Sequence, residues 1–197
     1  EMGIRARSNR RLQLMLARML FKKGDLAAAK VQYNSALRAS PNDGDVLFAL
    51  ALIELELGND LKAQEHLERM VRWNRRSGEA HFYLGGIAER RSDTAAALQE
   101  YAEAGEGYQF MPAQARIASL LANEGLWEEA RAHLANLRKQ KPEDRQRLIL
   151  IEAQLLADLS QEQEALDFLD SILRQEPENV ELLYYRAMTG QRFGRLD

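Results

Sequence analysis

The side chains best suited to metal binding or proton transfer are three histidines, and they do not form a catalytic pattern. His66 and His133 each lie one residue before a leucine, and His81 lies in the stretch WNRRSGEAHFY (73–83). A metal or acid–base site needs several such groups at a defined spacing, as in HExxH, and the chain has no such motif, phosphate-binding loop or dinucleotide-binding glycine pattern. The histidines are therefore interpreted as structural, and the chain as a non-enzyme without cofactor or metal.

Charged residues are numerous but favour solvation over chemistry. Pairs such as Glu128 and Glu129, or Glu162 and Glu164, stand where helices are expected to begin, and carboxylates stabilise helix starts. Stretch 73–83 mixes aromatic residues with arginines, as grooves for single-stranded nucleic acid do. The net charge of −3 argues against a nucleic-acid partner.

Composition indicates an all-α protein with an uneven charge distribution. Apolar residues make up 46% of the 197, prolines number only 4 and cysteine is absent, which excludes disulfides and thiol chemistry without defining the compartment. No apolar run reaches the roughly 18 residues that a membrane span needs. Residues 1–40 carry nine Lys or Arg and two acids, a net charge of +7. This end is either a solvated basic segment or a landing surface for an acidic partner.

Small residues recur at intervals of about 34 in two separate series. The first is Ala29, Ala63, Ala97, Ala130 and Ala165. The second is Ala17, Ala51, Gly85, Ala118, Ala153 and Ala187. Both series share the steps 34, 34, 33 and 35. Small side chains let neighbouring helices approach closely, so these positions are predicted helix–helix contacts.

Glycines and prolines mark the ends of the repeated helices. Glycines recur seven residues after the second series, where a left-handed residue ends a helix: Gly24, Gly58, Gly125 and Gly194. Prolines Pro41, Pro142 and Pro177 open new units. The spacing predicts first helices over about 10–22, 44–57, 78–91, 112–124, 146–159 and 180–193. Second helices are predicted over about 25–39, 60–74, 94–106, 127–139 and 162–175.

The positions of these residues resemble the tetratricopeptide repeat family. The best matches are Leu84-Gly85, Ala97, Tyr101 and Ala104 in the third repeat, with Leu16-Ala17, Leu20, Ala29, Tyr33, Ala36 and Pro41 in the first. Three features depart from the family pattern: no repeat has the early tryptophan, Arg75 replaces a proline, and Glu152 stands where leucine is usual. The resemblance implies an α-solenoid of stacked helical hairpins, a right-handed superhelix that binds other proteins.

The resemblance also divides the chain into repeats. Residues 1–9 are expected to be a linker or the end of a preceding repeat, and the start at Glu1 suggests an excised piece of a longer protein. Repeats are then predicted at about 10–43, 44–77, 78–110, 111–145 and 146–179, with a truncated sixth at 180–197.

A groove lined by first helices is the partner site that the resemblance implies. Its predicted residues are Leu14, Arg18, Phe21, Phe48, Leu52, Leu55, Phe82, Glu89, Arg147, Leu150, Gln154, Tyr184 and Met188. The family's clamp for chaperone tails is absent, because its positions hold Leu14, Arg18, Ala49, Glu79 and Tyr83. The apolar residues suit an amphipathic helix or an extended apolar segment. Alternatively, several of the aromatic residues pack between hairpins.

The expected function is a non-catalytic scaffold that binds a protein or peptide partner. The Ala/Leu/Arg-rich repeats also resemble bacterial envelope lipoprotein adaptors that bind a carboxyl-terminal processing protease and recruit its substrates. That resemblance implies a periplasmic location, tethered to the outer membrane through a part of the protein outside this sequence. Alternatives are a structural segment that self-associates through uncapped ends, and a chaperone-like binder of secreted or pilus proteins.

Overall fold

The regular secondary structure of the described part of the chain is all helical. A computed structural model describes residues 2–159 and 161–194, with side chains from residue 9 onwards. Over these ranges it contains no strand and eleven α-helices: α1 (Met2–Lys22), α2 (Leu26–Ala39), α3 (Gly44–Glu56), α4 (Asp60–Arg72), α5 (Ser77–Arg90), α6 (Thr94–Ala102), α7 (Phe110–Asn123), α8 (Trp127–Gln140), α9 (Arg145–Asp158), α10 (Glu162–Leu173) and α11 (Val180–Arg192). A single 3₁₀ turn, Pro142–Asp144, precedes α9.

Helix boundaries agree with the repeat spacing to within two residues, apart from two ends. The spacing predicts that α1 begins at residue 10, whereas the helix begins at Met2. It also predicts that α6 reaches residue 106, whereas the helix ends at Ala102 and is followed by Gly105 and Gly107, both with positive φ. The predicted segments at residue 1 and residues 195–197, and the side chains of Arg5 and Arg7, lie outside the described residues.

The helix ends follow from local chemistry. Asp25 caps α2, since its carboxylate accepts a hydrogen bond from the Ala28 amide at 3.0 Å, and Asp93 caps α6 through the Ala96 amide at the same distance. The predicted glycine positions all have φ between 71° and 79°. Ser92 occupies the equivalent position in the third repeat with φ 58°, a conformation that is costly for a residue with a Cβ.

The chain divides into two compact units, Glu1–Phe110 and Met111–Asp197. In the first unit, α1 packs on α2, α3 on α4 and α5 on α6, with further contacts of α2 on α3 and α4 on α5. The predicted contact alanines are fully buried there: Ala17, Ala29, Ala51, Ala63 and Ala97. A Cβ on Gly85 would lie 2.7 Å from the Tyr101 ring, so α5 and α6 approach too closely for a larger residue.

The second unit is built by the same rule. Its contact alanines Ala118, Ala130, Ala153 and Ala165 are also fully buried. Ala187 is exposed. In the other hairpins this position faces the second helix of the same hairpin, whereas α11 is the last described helix and packs on α9 and α10.

Two glutamates in the helical core were not predicted to be buried. Glu152 and Glu54 are each 1% exposed. Glu152 accepts hydrogen bonds from Arg138 Nη1 at 2.5 Å and Arg131 Nε at 3.2 Å, which explains how it replaces the family's usual leucine. Glu54 lies 2.7 Å from Lys30 Nζ.

The charge of Glu54 is stabilised within the first unit. Burial alone would raise the pKa of this carboxyl, but hydrogen bonds from Lys30 and Asn59 and the attraction of Lys30 outweigh it, so the pKa lies below its ordinary value. The side-chain amide of Asn59 donates from Nδ2 to Glu54 Oε2 at 3.0 Å.

Candidate functional site

Five of the predicted groove residues line one cavity in the first unit. The cavity has a volume of about 290 Å³ and includes Leu14, Arg18, Phe21, Phe48 and Leu52 in its walls. On α1, Leu14, Arg18 and Phe21 are separated by four and three residues. On α3, Phe48 and Leu52 are four residues apart. Residues at these intervals share one helix face, which is why the repeat positions identified them together. The four apolar side chains are half-buried and remain open to a ligand.

Arg76 forms one wall of this cavity and was missed in the sequence. Its guanidinium carbon lies 4.2 Å from the Phe48 ring centroid, and its Nη1 donates to Asp45 Oδ1 at 3.0 Å. A second ion pair joins its Nη2 to Glu79 Oε1 at 3.2 Å. The Phe48 ring also packs edge-on against Tyr83, with centroids 5.3 Å apart.

The backbone at Arg76 has an unusual conformation that positions this side chain. Asn74 and Arg76 have φ of 47° and 49°, in the left-handed region. Such residues are typically strained by about 1–3 kcal/mol and persist where the surroundings hold them in place. The Arg75 amide donates to the Met70 carbonyl at 2.8 Å and closes α4. This tight junction replaces the proline that the family pattern places there.

The remaining charges around the cavity are unevenly paired. Arg10 forms an ion pair with Asp43. Arg18 is exposed and hydrogen-bonds Tyr33, whose pKa is nevertheless raised, because burial of the phenol outweighs the attraction of this arginine. Arg11 is also exposed. No carboxylate among the residues with described side chains forms an ion pair with Arg11 or Arg18.

Two further cavities adjoin the first. One of about 480 Å³ is lined by Arg10, Arg11, Leu14, Met15 and Arg18, and it shares Leu14 and Arg18 with the apolar cavity. Another of about 730 Å³ lies between residues 40–45 and 74–76 and shares Asp43, Asp45 and Arg76. The three cavities are linked by these shared lining residues, and we call them together the α1–α3 groove.

The other predicted residues of the first unit lie outside this groove. The Phe82 ring packs against Tyr83 and Tyr101, with centroids 5.5 and 5.6 Å away. Both contacts lie within the hairpin of α5 and α6, whereas the alternative interpretation placed the aromatic residues between hairpins. Burial raises the pKa of Tyr101 to about 12. Leu55 packs against the core of the unit, and Glu89 is half-buried on α5.

In the second unit the predicted residues lie on α9 and α11. The Gln154 side chain accepts a hydrogen bond from the Tyr185 hydroxyl at 2.6 Å, and Arg147 Nη1 lies 3.3 Å from Asp144. Leu150 packs against the core. Tyr184 and Met188 are exposed on α11.

The histidines occupy separate and partly buried environments. His133 Nε2 lies 2.8 Å from Gln114 Oε1, and His81 Nδ1 lies 2.8 Å from Glu100 Oε2. His66 Nδ1 is buried without a hydrogen-bond partner. Burial lowers the pKa of both His66 and His133. The described residues contain no group of three or more His, Asp or Glu side chains arranged to hold a metal ion.

None of the described helices combines the length and apolar character needed to cross a membrane.

Comparison with known proteins supports the repeat assignment. A tetratricopeptide repeat family model matches residues 20–84. A TPR repeat-containing protein of Pseudomonas aeruginosa is 41% identical over 113 residues, which is 57% of this chain and 19% of that protein. The chain thus spans about a fifth of the length of this relative.

Solved structures of low sequence identity share the fold. The MamA protein is 20% identical with a TM-score of 0.63, and the match covers 87% of this chain and 94% of that one. YrrB, described as a TPR protein with an unusual peptide-binding site, is 20% identical with a TM-score of 0.56, covering 87% and 89% of the two chains.

Proposed function

We propose that this chain, which is built of tetratricopeptide repeats, holds an apolar segment of a partner protein in its α1–α3 groove. The family is one of protein-interaction scaffolds, and the proposed role needs no catalysis. YrrB has a peptide-binding site on the same fold, which supports a peptide-sized ligand.

The observation that carries the proposal is the open apolar cavity between α1 and α3. Leu14, Phe21, Phe48 and Leu52 are half-buried around about 290 Å³, a space large enough for one bulky apolar side chain. Burying a leucine or phenylalanine side chain contributes about 1.5–3 kcal/mol, which is about a fifth to a third of the roughly 8 kcal/mol that a micromolar affinity requires.

A variant pair with a matched control tests this site. Phe48→Ser/Leu52→Ser makes the cavity polar, whereas Val31→Ser/Leu61→Ser also replaces two apolar side chains with serine, at positions that are 61% and 72% exposed and outside the cavity. Quantitative capture from an extract of the cells that express the protein should fall about tenfold for the first variant only. Equal capture by a correctly folded Phe48→Ser/Leu52→Ser variant refutes the groove as the binding site.

We also propose the narrower role of an adaptor for a carboxyl-terminal processing protease and its substrates in the bacterial periplasm, tethered to the outer membrane by another part of the protein. The 41% identity to a bacterial repeat protein supports a bacterial setting. Purification of the full-length protein from its own cells tests the role: a processing protease should co-purify, and its consistent absence refutes the adaptor role. Co-purification of secreted or pilus proteins alone would favour the chaperone-like alternative.

Self-association is a second candidate function, favoured by exposed apolar stripes. On α1 the exposed residues are Leu12, Met15, Leu16 and Met19, and on α11 they are Val180, Leu183, Tyr184 and Met188. Both sets follow helical intervals of three and four, so each forms one continuous face. Light scattering should show a mass that rises with concentration and returns to the monomer value in Met15→Lys/Met19→Lys. A constant monomer mass excludes this function.

A further inference from the structure

We infer that the segment bound in the α1–α3 groove carries an acidic residue within about three positions of its apolar anchor. This inference rests on the proposed function and adds the chemistry of the ligand. It follows from which charges around the apolar cavity are already neutralised by the chain and which are not.

The carboxylates that line the groove are occupied by arginines of the chain itself. Asp43 pairs with Arg10, and Asp45 pairs with Arg76 at 3.0 Å. Arg76 is further held by its contact with the Phe48 ring. A lysine or arginine of a ligand would therefore compete with existing ion pairs and meet the positive charge of Arg10 and Arg76.

Three cations that line the groove, Arg11, Arg18 and Arg75, have no carboxylate partner among the described side chains, and of these Arg11 and Arg18 lie on α1. These two lie seven residues apart, which is two helical turns, on the face of α1 that also presents Leu14. Both line the cavity of about 480 Å³, and Arg18 also lines the apolar cavity. A ligand carboxylate in the larger space thus reaches these guanidinium groups while an adjacent apolar side chain occupies the space between Leu14 and Phe48.

The acidic group is a side chain rather than a free chain terminus. Leu14, Ala49 and Tyr83 occupy positions where the family's chaperone-tail clamp has polar ligands. Arginine suits the remaining task, since its planar group binds carboxylates through two parallel hydrogen bonds. The basic character of residues 1–40, with a net charge of +7, steers acidic segments toward the same end of the chain.

The test selects binders from a library of random 12-residue peptides fused through their C-termini to a phage coat protein, so that no free peptide carboxylate is offered. The immobilised proteins are the wild-type chain, Arg11→Glu/Arg18→Glu and Phe48→Ser/Leu52→Ser. A control, Arg38→Glu/Arg72→Glu, has the same change in net charge at exposed arginines outside the cavities. Circular dichroism verifies that each protein is folded, and Arg11→Glu alone serves if the Arg18 substitution disturbs folding through Tyr33.

The expected result is a set of peptides in which Asp or Glu accompanies a bulky apolar residue on the wild-type and control proteins. On Arg11→Glu/Arg18→Glu the acidic preference should disappear or turn to lysine, and a wild-type-selected peptide should bind about tenfold more weakly by fluorescence anisotropy. Apolar peptides without acidic preference that fail to bind Phe48→Ser/Leu52→Ser would overturn the inference and leave the proposed function intact. No enrichment over Phe48→Ser/Leu52→Ser would overturn both.

Discussion

Removal of the Glu152 carboxylate is expected to destabilise the second unit by about 2–3 kcal/mol. Glu152 is 1% exposed, and its partners Arg138 and Arg131 have side chains that are 18% and 46% exposed. Hydrogen bonds to charged groups contribute about 1.5–3 kcal/mol each, and breaking a fully buried ion pair costs about 3–5 kcal/mol. Because Arg131 is nearly half exposed and becomes hydrated when freed, Glu152→Ala should cost less than that upper range.

Replacement of both charges separates the ion pair from simple packing. In Glu152→Leu/Arg138→Leu the usual leucine of the family returns and the less exposed of the two arginines is removed. Apolar replacement of buried ion pairs is often neutral or stabilising, so this double variant should lie within about 1 kcal/mol of the wild type. The free energy of unfolding of Glu152→Leu alone should lie between those of Glu152→Ala and the double variant, because Glu152→Leu leaves Arg138 without its carboxylate.

Urea unfolding followed by tryptophan fluorescence measures these effects. Trp127 lies on α8 close to Arg131, with the guanidinium carbon 5.9 Å from its ring, whereas Trp73 lies in the first unit. A Trp73→Phe background therefore restricts the signal to the second unit. The matched control is Glu178→Ala, an exposed glutamate in the turn between α10 and α11 of the same unit, which should leave the midpoint nearly unchanged. If Glu152→Ala costs no more than Glu178→Ala, the buried ion pair does not stabilise the unit.

Three further predictions follow from burial and backbone geometry. Ala97→Leu should lower the unfolding free energy by about 1–3 kcal/mol through overpacking, as measured by thermal unfolding. Ala95→Leu, at an exposed position of the same helix, should have little effect. Equal shifts in melting temperature would show that Ala97 is not a tight contact. The pKa values of His66 and His133 are lowered in the fold, so the unfolded chain takes up protons first and stability should be full above about pH 6.5 and fall as the pH decreases toward 5. Unfolding midpoints between pH 7.5 and 5 should be flatter for a His66→Gln/His133→Gln variant, and an unchanged slope would contradict this assignment. Ser92→Gly should raise the unfolding free energy by about 0.5–1 kcal/mol, since φ 58° suits glycine, and a lower melting temperature would contradict it.

The repeat intervals predicted the helices and placed four apolar residues of one cavity on shared helix faces, because both features depend on local periodicity. Contact alanines such as Ala29 and Ala63 are fully buried as predicted, and Phe48 and Leu52 face the cavity because helical intervals alone place them on one face. Phe82 shows the limit of this reasoning. Its position predicted the groove, but Tyr101 of the neighbouring helix draws its ring into an aromatic cluster.

The charged residues of the site and core depend on partners far away in the chain. The partners of Glu152, Arg138 and Arg131, lie 14 and 21 residues earlier on another helix. The sequence therefore showed only an unusual residue at a leucine position. Arg76 contacts Asp45, 31 residues earlier in the chain, and has a left-handed backbone conformation. The sequence did not predict this conformation, because no glycine stands at this position. The signal that the sequence offered at this junction was Arg75 in place of the family's proline, directly before Arg76.

The two buried glutamates have a consequence for how the hairpins find their neighbours. Lys30 on α2 contacts Glu54 on α3, and Arg131, at the equivalent position on α8, contacts Glu152 on α9. In both cases the second helix of one repeat meets the first helix of the next. If a hairpin docked against the wrong neighbour, a carboxylate would be buried without its cation, which is energetically costly. The apolar faces of the repeats are similar, so they do not by themselves distinguish one neighbour from another. The buried ion pairs favour docking of each repeat against its correct neighbour.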